Sequence, residues 1–129
     1  MFDAHTYALL DSFRVGDQPW HLQYTRDADF CYVSNRRDNS VSMIHLPIHA
    51  VMATITSAPK HIFDYPHGCD ISTDGRYVLI SNENSGHLFT PRYAVDYTGN
   101  VCVIEKNLNN QIVKVLEVGK MPTGLSIVE

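Results

Sequence analysis

The chain has 129 residues, 44% of them hydrophobic, and a formal net charge of −4. An acidic balance of this size gives no general attraction to nucleic acid. No apolar run approaches the roughly 18 residues of a membrane-spanning helix, and no charged-then-apolar leader is visible after Met1.

Residues 1–18 read as the end of one structural unit. Phe2-Asp3-Ala4 matches the close of a third strand, and residues 7–15 read as an outer strand running to Gly16. The stretch PWHLQYTRDADFCYVSN follows at 19–35, and PHGCDISTDGRYVLISN at 66–82 repeats its pattern. Pro19 and Pro66 are 47 residues apart, as are Asn35 and Asn82, so the two stretches align without a gap. PTGLSIVE, from Pro122 onwards, begins a third copy. Val41 and Val101 lie 60 residues apart, which puts 13 extra residues between Asn82 and Gly99.

Each unit holds four short runs rich in Val, Ile, Tyr and Phe, the residues that strands favour. They lie at 21–25, 30–34, 41–45 and 51–55, then at 69–72, 77–81, 101–105 and 112–118. Asp74-Gly75 is a tight-turn signal, with Ala28 at the glycine position of the first unit. Asp38-Asn39 and Asn109-Asn110 mark further turns. Pro47, Pro59 and Pro66 mark strand ends and connections, because proline donates no ladder hydrogen bond. No 3.6-residue apolar stripe is present. A repeat of 40–50 residues with a hydrophobic period of two predicts all-β architecture: β-propeller blades of four antiparallel strands. Two blades are complete, at 19–65 and 66–121, the second with an inserted loop at 83–98. Residues 1–18 and 122–129 belong to flanking blades, so the chain reads as a segment of a larger propeller. The alternative is a chain that closes its ring with other copies. The three cysteines, Cys31, Cys69 and Cys102, form no CxxC pair and fall on predicted strands, where free thiols are usually buried.

Residues 72–82, STDGRYVLISN, resemble the S-P-D-G-K-x-x-Y-V-T-N signature of YVTN-family β-propeller repeats. Residues 38–45, DNSVSMIH, are similar to that family's D-N-T-V-S-V-I-D strand, and 118–124, VGKMPTG, to its V-G-x-x-P-x-G junction. Thr73, Ala28 and the inserted loop depart from the pattern. The resemblance implies a propeller and a bacterial periplasmic or extracellular setting, without fixing a function.

In a propeller, the junction before each inner strand and the loop after each second strand share one face. This face is where a channel-side site forms, and it gathers Trp20, His21, Asn35 and Arg36 from the first blade. From the second it takes His67, Asn82, Glu83 and, through the inserted loop, His87. These are the candidate ligand-binding residues; none is assigned as catalytic or as a metal ligand. Arg36-Arg37 also reads as a solvated basic pair, Pro66-His67-Gly68 as a turn, and Asn35 and Asn82 as turn-stabilising residues. His45 and His49 read as solvent-facing. Leu22 and Tyr24 are expected to pack between blades. Gln23, Asp70 and Ser126 hold equivalent polar places in three successive inner strands. The inserted loop carries His87, Phe89, Arg92, Tyr93 and Tyr97, either as a functional loop or as an edge cover.

HExxH, GxSxG, Walker and dinucleotide motifs are all absent. The first functional reading is a binding or scaffold propeller without a cofactor. Its partners are the remaining blades or other copies of the chain, and its ligand is a small molecule or a protein. The alternative is a redox or haem- or metal-handling propeller. It follows from the likeness of such propellers to the haem-binding propellers of cytochrome nitrite reductases, with His67 and His87 near the cofactor. No CxxCH attachment site is present. A third reading is a blade segment whose site lies elsewhere in the ring.

Overall fold

The computed structural model describes residues 1–58, 60–92 and 98–128. The expectations that fall on Pro59, Tyr93, Tyr97 and Glu129 lie outside the described residues. Among the described residues, eight strands form two four-stranded antiparallel sheets. The first is β1 (Pro19–Tyr24), β2 (Phe30–Asn35), β3 (Ser40–His45) and β4 (Ala50–Thr56). The second is β5 (Pro66–Ile71), β6 (Tyr77–Asn82), β7 (Thr98–Glu105) and β8 (Gln111–Lys120). Each sheet is a simple meander of consecutive strands, joined by short turns except between β6 and β7, where the inserted loop lies.

The equivalent turns agree in detail. Ala28 N–H bonds Thr25 O at 2.8 Å and Gly75 N–H bonds Ser72 O at 2.7 Å. The Thr25 and Ser72 hydroxyls donate to Asp27 and Asp74 at 2.5 and 2.6 Å. Both turns need the left-handed region, with φ of 59° at Ala28 and 69° at Gly75. Glycine adopts it without steric cost; alanine does not.

The main core lies between the sheets. Tyr32, Val41 and Ile55 of the first meet Cys69, Val78, Ile80, Cys102 and Ile104 of the second, with Ile62 and Phe63 of the connecting segment wedged between them. The Tyr32 hydroxyl reaches across the joint to Asn110 Oδ1 at 2.9 Å. On the other face of the first sheet Cys31, Val33 and Ile44 pack against Phe13, Val15 and Leu46. All three cysteines are buried free thiols.

Two expectations change. Residues 7–15 form no strand, and the segment's one ladder contact is the isolated bridge Phe2–Leu9. Residues 2–4 offer too short a partner for more. Leu22 and Tyr24 are about half exposed on the face of the first sheet turned away from the second, where they pair with Val33 and Cys31. His45 does not face solvent: its ring meets Phe30 edge-on at 4.7 Å, and its Nδ1 is buried. His49 is exposed and pairs with Asp11.

Candidate functional site

The residues just before β1 and β5 set up one end of both sheets. Gln18, Tyr65 and Met121 each precede a proline, and each is left-handed, with φ of 53°, 55° and 48°. The turn aims the Gln18 and Tyr65 carbonyls at the loops after β2 and β6. They accept the N–H of Arg36 at 2.9 Å and of Glu83 at 3.3 Å. Arg36 and Glu83 thus hold equivalent places in adjacent units, as do Trp20 and His67. The register of β1 slips between Pro19 and His21, and that of β5 between Pro66 and Cys69. Such bulges re-aim side chains at strand ends, here Trp20 and His67.

Equivalent positions then touch across the joint. Arg36 Nε and Nη2 donate to Glu83 Oε1 and Oε2 at 3.2 and 2.8 Å, a two-pronged ion pair. Arg36 Nη1 bonds Gln18 Oε1 at 3.3 Å, and the guanidinium carbon lies 4.7 Å from the Tyr65 ring centre and 5.4 Å from that of Trp20. The Trp20 and His67 rings tilt together with centres 5.1 Å apart. His67 Nδ1 meets Thr123 O at 2.8 Å, and since a carbonyl only accepts, Nδ1 carries the proton. His67 Nε2 therefore faces Glu83 Oε1 at 3.7 Å, beyond hydrogen-bond range. A Cβ at Gly68 would lie 2.6 Å from Thr123 O, so glycine is what admits that carbonyl.

Glu83 is buried, which raises its pKa. The Arg36 and Ser85 hydrogen bonds and the Arg36 charge outweigh this and hold it below the ordinary value. The same joint continues along the inner strands. Gln23 Nε2 donates to Asp70 Oδ1 at 3.0 Å, and Asp70 Oδ2 accepts Ile127 N–H at 2.7 Å. Ser34 Oγ donates to His67 O at 2.7 Å, and its equivalent Ser81 Oγ to Thr123 O at 3.0 Å.

Of the eight candidate residues, Trp20, Arg36, His67 and Glu83 form one cluster. His21 is exposed beside it, its Nδ1 accepting Cys69 N–H at 3.2 Å, so its proton sits on Nε2. Asn35 and Asn82 are 0% exposed. Their amides bond Ser40 and Ser42, or Asn100 and Ile80 O, inside the sheets, so neither offers a group to solvent. His87 is exposed in the turn closed by its N–H to Asn84 O. The base of the inserted loop is pinned by Asn84, which bonds Phe89 and Thr98, and by Asp64, which accepts Leu88 N–H at 2.9 Å. Arg37 is the exposed member of the basic pair, and Arg36 is the enclosed one.

Gln18, Tyr65, Ser85 and Thr123 belong to the cluster but were not anticipated. Their signal was the register itself: Gln18 and Tyr65 are equivalent, and Thr123 is equivalent to Trp20 and His67. Among the described residues no three His, Cys, Asp or Glu side chains converge in a metal-binding set. Within the cluster His67 Nδ1 is engaged with Thr123 O, and the Glu83 oxygens with Arg36 and Ser85.

Residues 4–111 match the family described as lactonase, 7-bladed beta-propeller. Among curated proteins no sequence matches. Several solved structures share the fold. A functionally unknown protein of Desulfotomaculum acetoxidans superposes with a TM-score of 0.75 at 16% identity, over 98% of this chain and 35% of its own. A candidate 6-phosphogluconolactonase of Bacteroides fragilis gives 0.66 at 20% identity, over 90% and 31%. Hydrazine synthase of Kuenenia stuttgartiensis gives 0.65 at 18%, over 91% and 29%. At these identities the likeness is one of fold. The chain spans about a third of the length of each.

Proposed function

Since the chain belongs to the lactonase family of seven-bladed β-propellers, we propose that it is a binding segment of such a ring. In this reading Trp20, Arg36, His67 and Glu83 are its share of a small-molecule site, and further blades or copies complete the ring. One observation carries the reading. A 53% exposed indole stands at the end where two inner strands begin, on a cluster that fixes its position. Small-molecule sites combine an aromatic wall with a few oriented polar groups, and the left-handed junction residues beneath it are strained backbone of the kind that gathers at such sites.

Trp20 is the only tryptophan, so its emission reports on the cluster. Titration with sugar lactones, aldonates and their phosphates should give a saturable change with at least one class, lost in His67→Ala at unchanged far-ultraviolet circular dichroism. No saturable change with any of them would overturn the reading.

The family favours a second reading, in which the same face helps to open a lactone ring. His67 Nε2, unprotonated because Thr123 holds the proton on Nδ1, then takes a proton from water as its oxygen bonds the lactone carbonyl carbon, and the proton passes to the ring oxygen as the ring C–O bond breaks. Acid release from glucono-1,5-lactone that exceeds the spontaneous rate, and falls in His67→Ala, tests it. Together with the YVTN resemblance, the proposal extends to the bacterial envelope, which cell fractionation tests.

A further inference from the structure

We propose that this site takes a neutral, hydroxyl-rich ring, a sugar or its lactone, and discriminates against phosphate and carboxylate groups. The inference rests on the binding reading above.

The cations nearest Trp20 are committed. Arg36 spends Nε and Nη2 on Glu83 and Nη1 on Gln18, and its flat faces lie against Tyr65 and Trp20. A phosphate that drew Arg36 away would leave Glu83, with a side chain 4% exposed, charged and poorly compensated. Arg37 faces Asp17 at 3.8 Å. The neighbouring loop adds Asp38, whose Oδ2 accepts Asp17 N–H at 2.6 Å, and the buried Asp64 stands just before Tyr65. Glu83, Asp17, Asp38 and Asp64 thus outnumber Arg36 and Arg37, and the local field opposes an anion.

What the cluster leaves open is neutral. Trp20 is covered on one side by Arg36 and His67, and the described residues leave about half its surface uncovered, which suits the C–H face of a sugar ring. His67 Nε2, out of hydrogen-bond range of Glu83, accepts a hydroxyl proton. His21, the next residue of the strand, presents Nε2–H as a donor. An acceptor and a donor beside an indole suit a polyol better than an anion.

The test is Trp20 emission at low salt, where charge effects are least screened. The probes are 1,5-anhydroglucitol, gluconate and 6-phosphogluconate. The neutral ring should saturate the signal, and both anions should bind about tenfold more weakly or worse. Glu83→Gln removes the carboxylate charge that neutralises Arg36 and should bring 6-phosphogluconate within reach of the neutral ring. Asp17→Asn, in an exposed pair that does not hold the fold, should do so more weakly through Arg37. An anion that binds the unaltered chain as tightly as the neutral ring overturns this inference and leaves the binding reading intact. Unchanged selectivity in both variants also overturns it. Failure of all three probes overturns both.

Discussion

Arg36→Met removes the cation from the joint between the two sheets and leaves Glu83 with the Ser85 hydroxyl and a distant His67. Glu83→Gln does the reverse: Arg36 keeps Gln18, two ring faces and the amide oxygen that replaces the carboxylate. The side chains are 4% exposed for Glu83 and 22% for Arg36, so the two losses should differ. An uncompensated buried charge costs about 3–5 kcal/mol, and Glu83 is near that limit, so Arg36→Met should cost about 3 kcal/mol. The partly solvated Arg36 with remaining partners should cost about 1–2 kcal/mol. A double variant should fall short of the sum by about 2 kcal/mol, the coupling of the pair. Urea unfolding followed by circular dichroism at constant slope measures all three. Glu83→Gln costing as much as Arg36→Met, or both costing under about 0.5 kcal/mol as an exposed pair would, would refute the reasoning.

Stability should also fall in acid. Burial raises the Glu83 and Asp70 pKa values, but hydrogen bonds lower them further: from Arg36 and Ser85 to Glu83, and from Gln23, Ile127 and Ile71 to Asp70. Depressed carboxyls add stability that is present above their ordinary values of 4.5 and 3.8 and is lost as pH falls through the folded values. Unfolding midpoints should therefore hold from neutral pH to about 5 and drop below it, less steeply in Glu83→Gln; a midpoint flat to pH 3 would contradict this. Ala28→Gly should raise stability by about 0.5–1 kcal/mol, the left-handed penalty less the entropy glycine costs. Gly75→Ala should lose about as much, since its Cβ would meet Thr25 at an ordinary 3.5 Å. Thermal unfolding that ranks them otherwise removes the strain argument. Burial pushes the Cys31 and Cys102 thiols up to about 11 and about 12, and raises Cys69 as well. A chromogenic disulfide reagent should thus react slowly with the folded chain and fully in denaturant; fast labelling of one thiol before unfolding would show that it is open.

The four-strand units were legible because period-two patterning and turn residues both act within a few residues. Ala28 shows where this stopped: it departs from the turn glycine in sequence, yet it adopts the same left-handed turn as its equivalent Gly75, against its own preference. Half of the candidate cluster was legible by the same register. What escaped depended on contacts between units. Asn35 and Asn82 look like loop-edge residues in one dimension, and only the serines and asparagine of the next strand reveal them as interior. Arg36 reads as solvated until Glu83, 47 residues later, lies opposite it. His45 is polar by type but is drawn inward by Phe30.

The serine joints between units run in one direction. Ser34 gives to the His67 carbonyl and Ser81 gives to the Thr123 carbonyl in the same way, while Asp70 accepts from Gln23 behind it and from the Ile127 N–H ahead of it. A unit that offers the same groups forward and receives the same groups behind can be duplicated or deleted whole without a new contact being invented. Such a chain changes size by copying, and its chemistry can drift one position at a time, as arginine facing glutamate and tryptophan facing histidine already record.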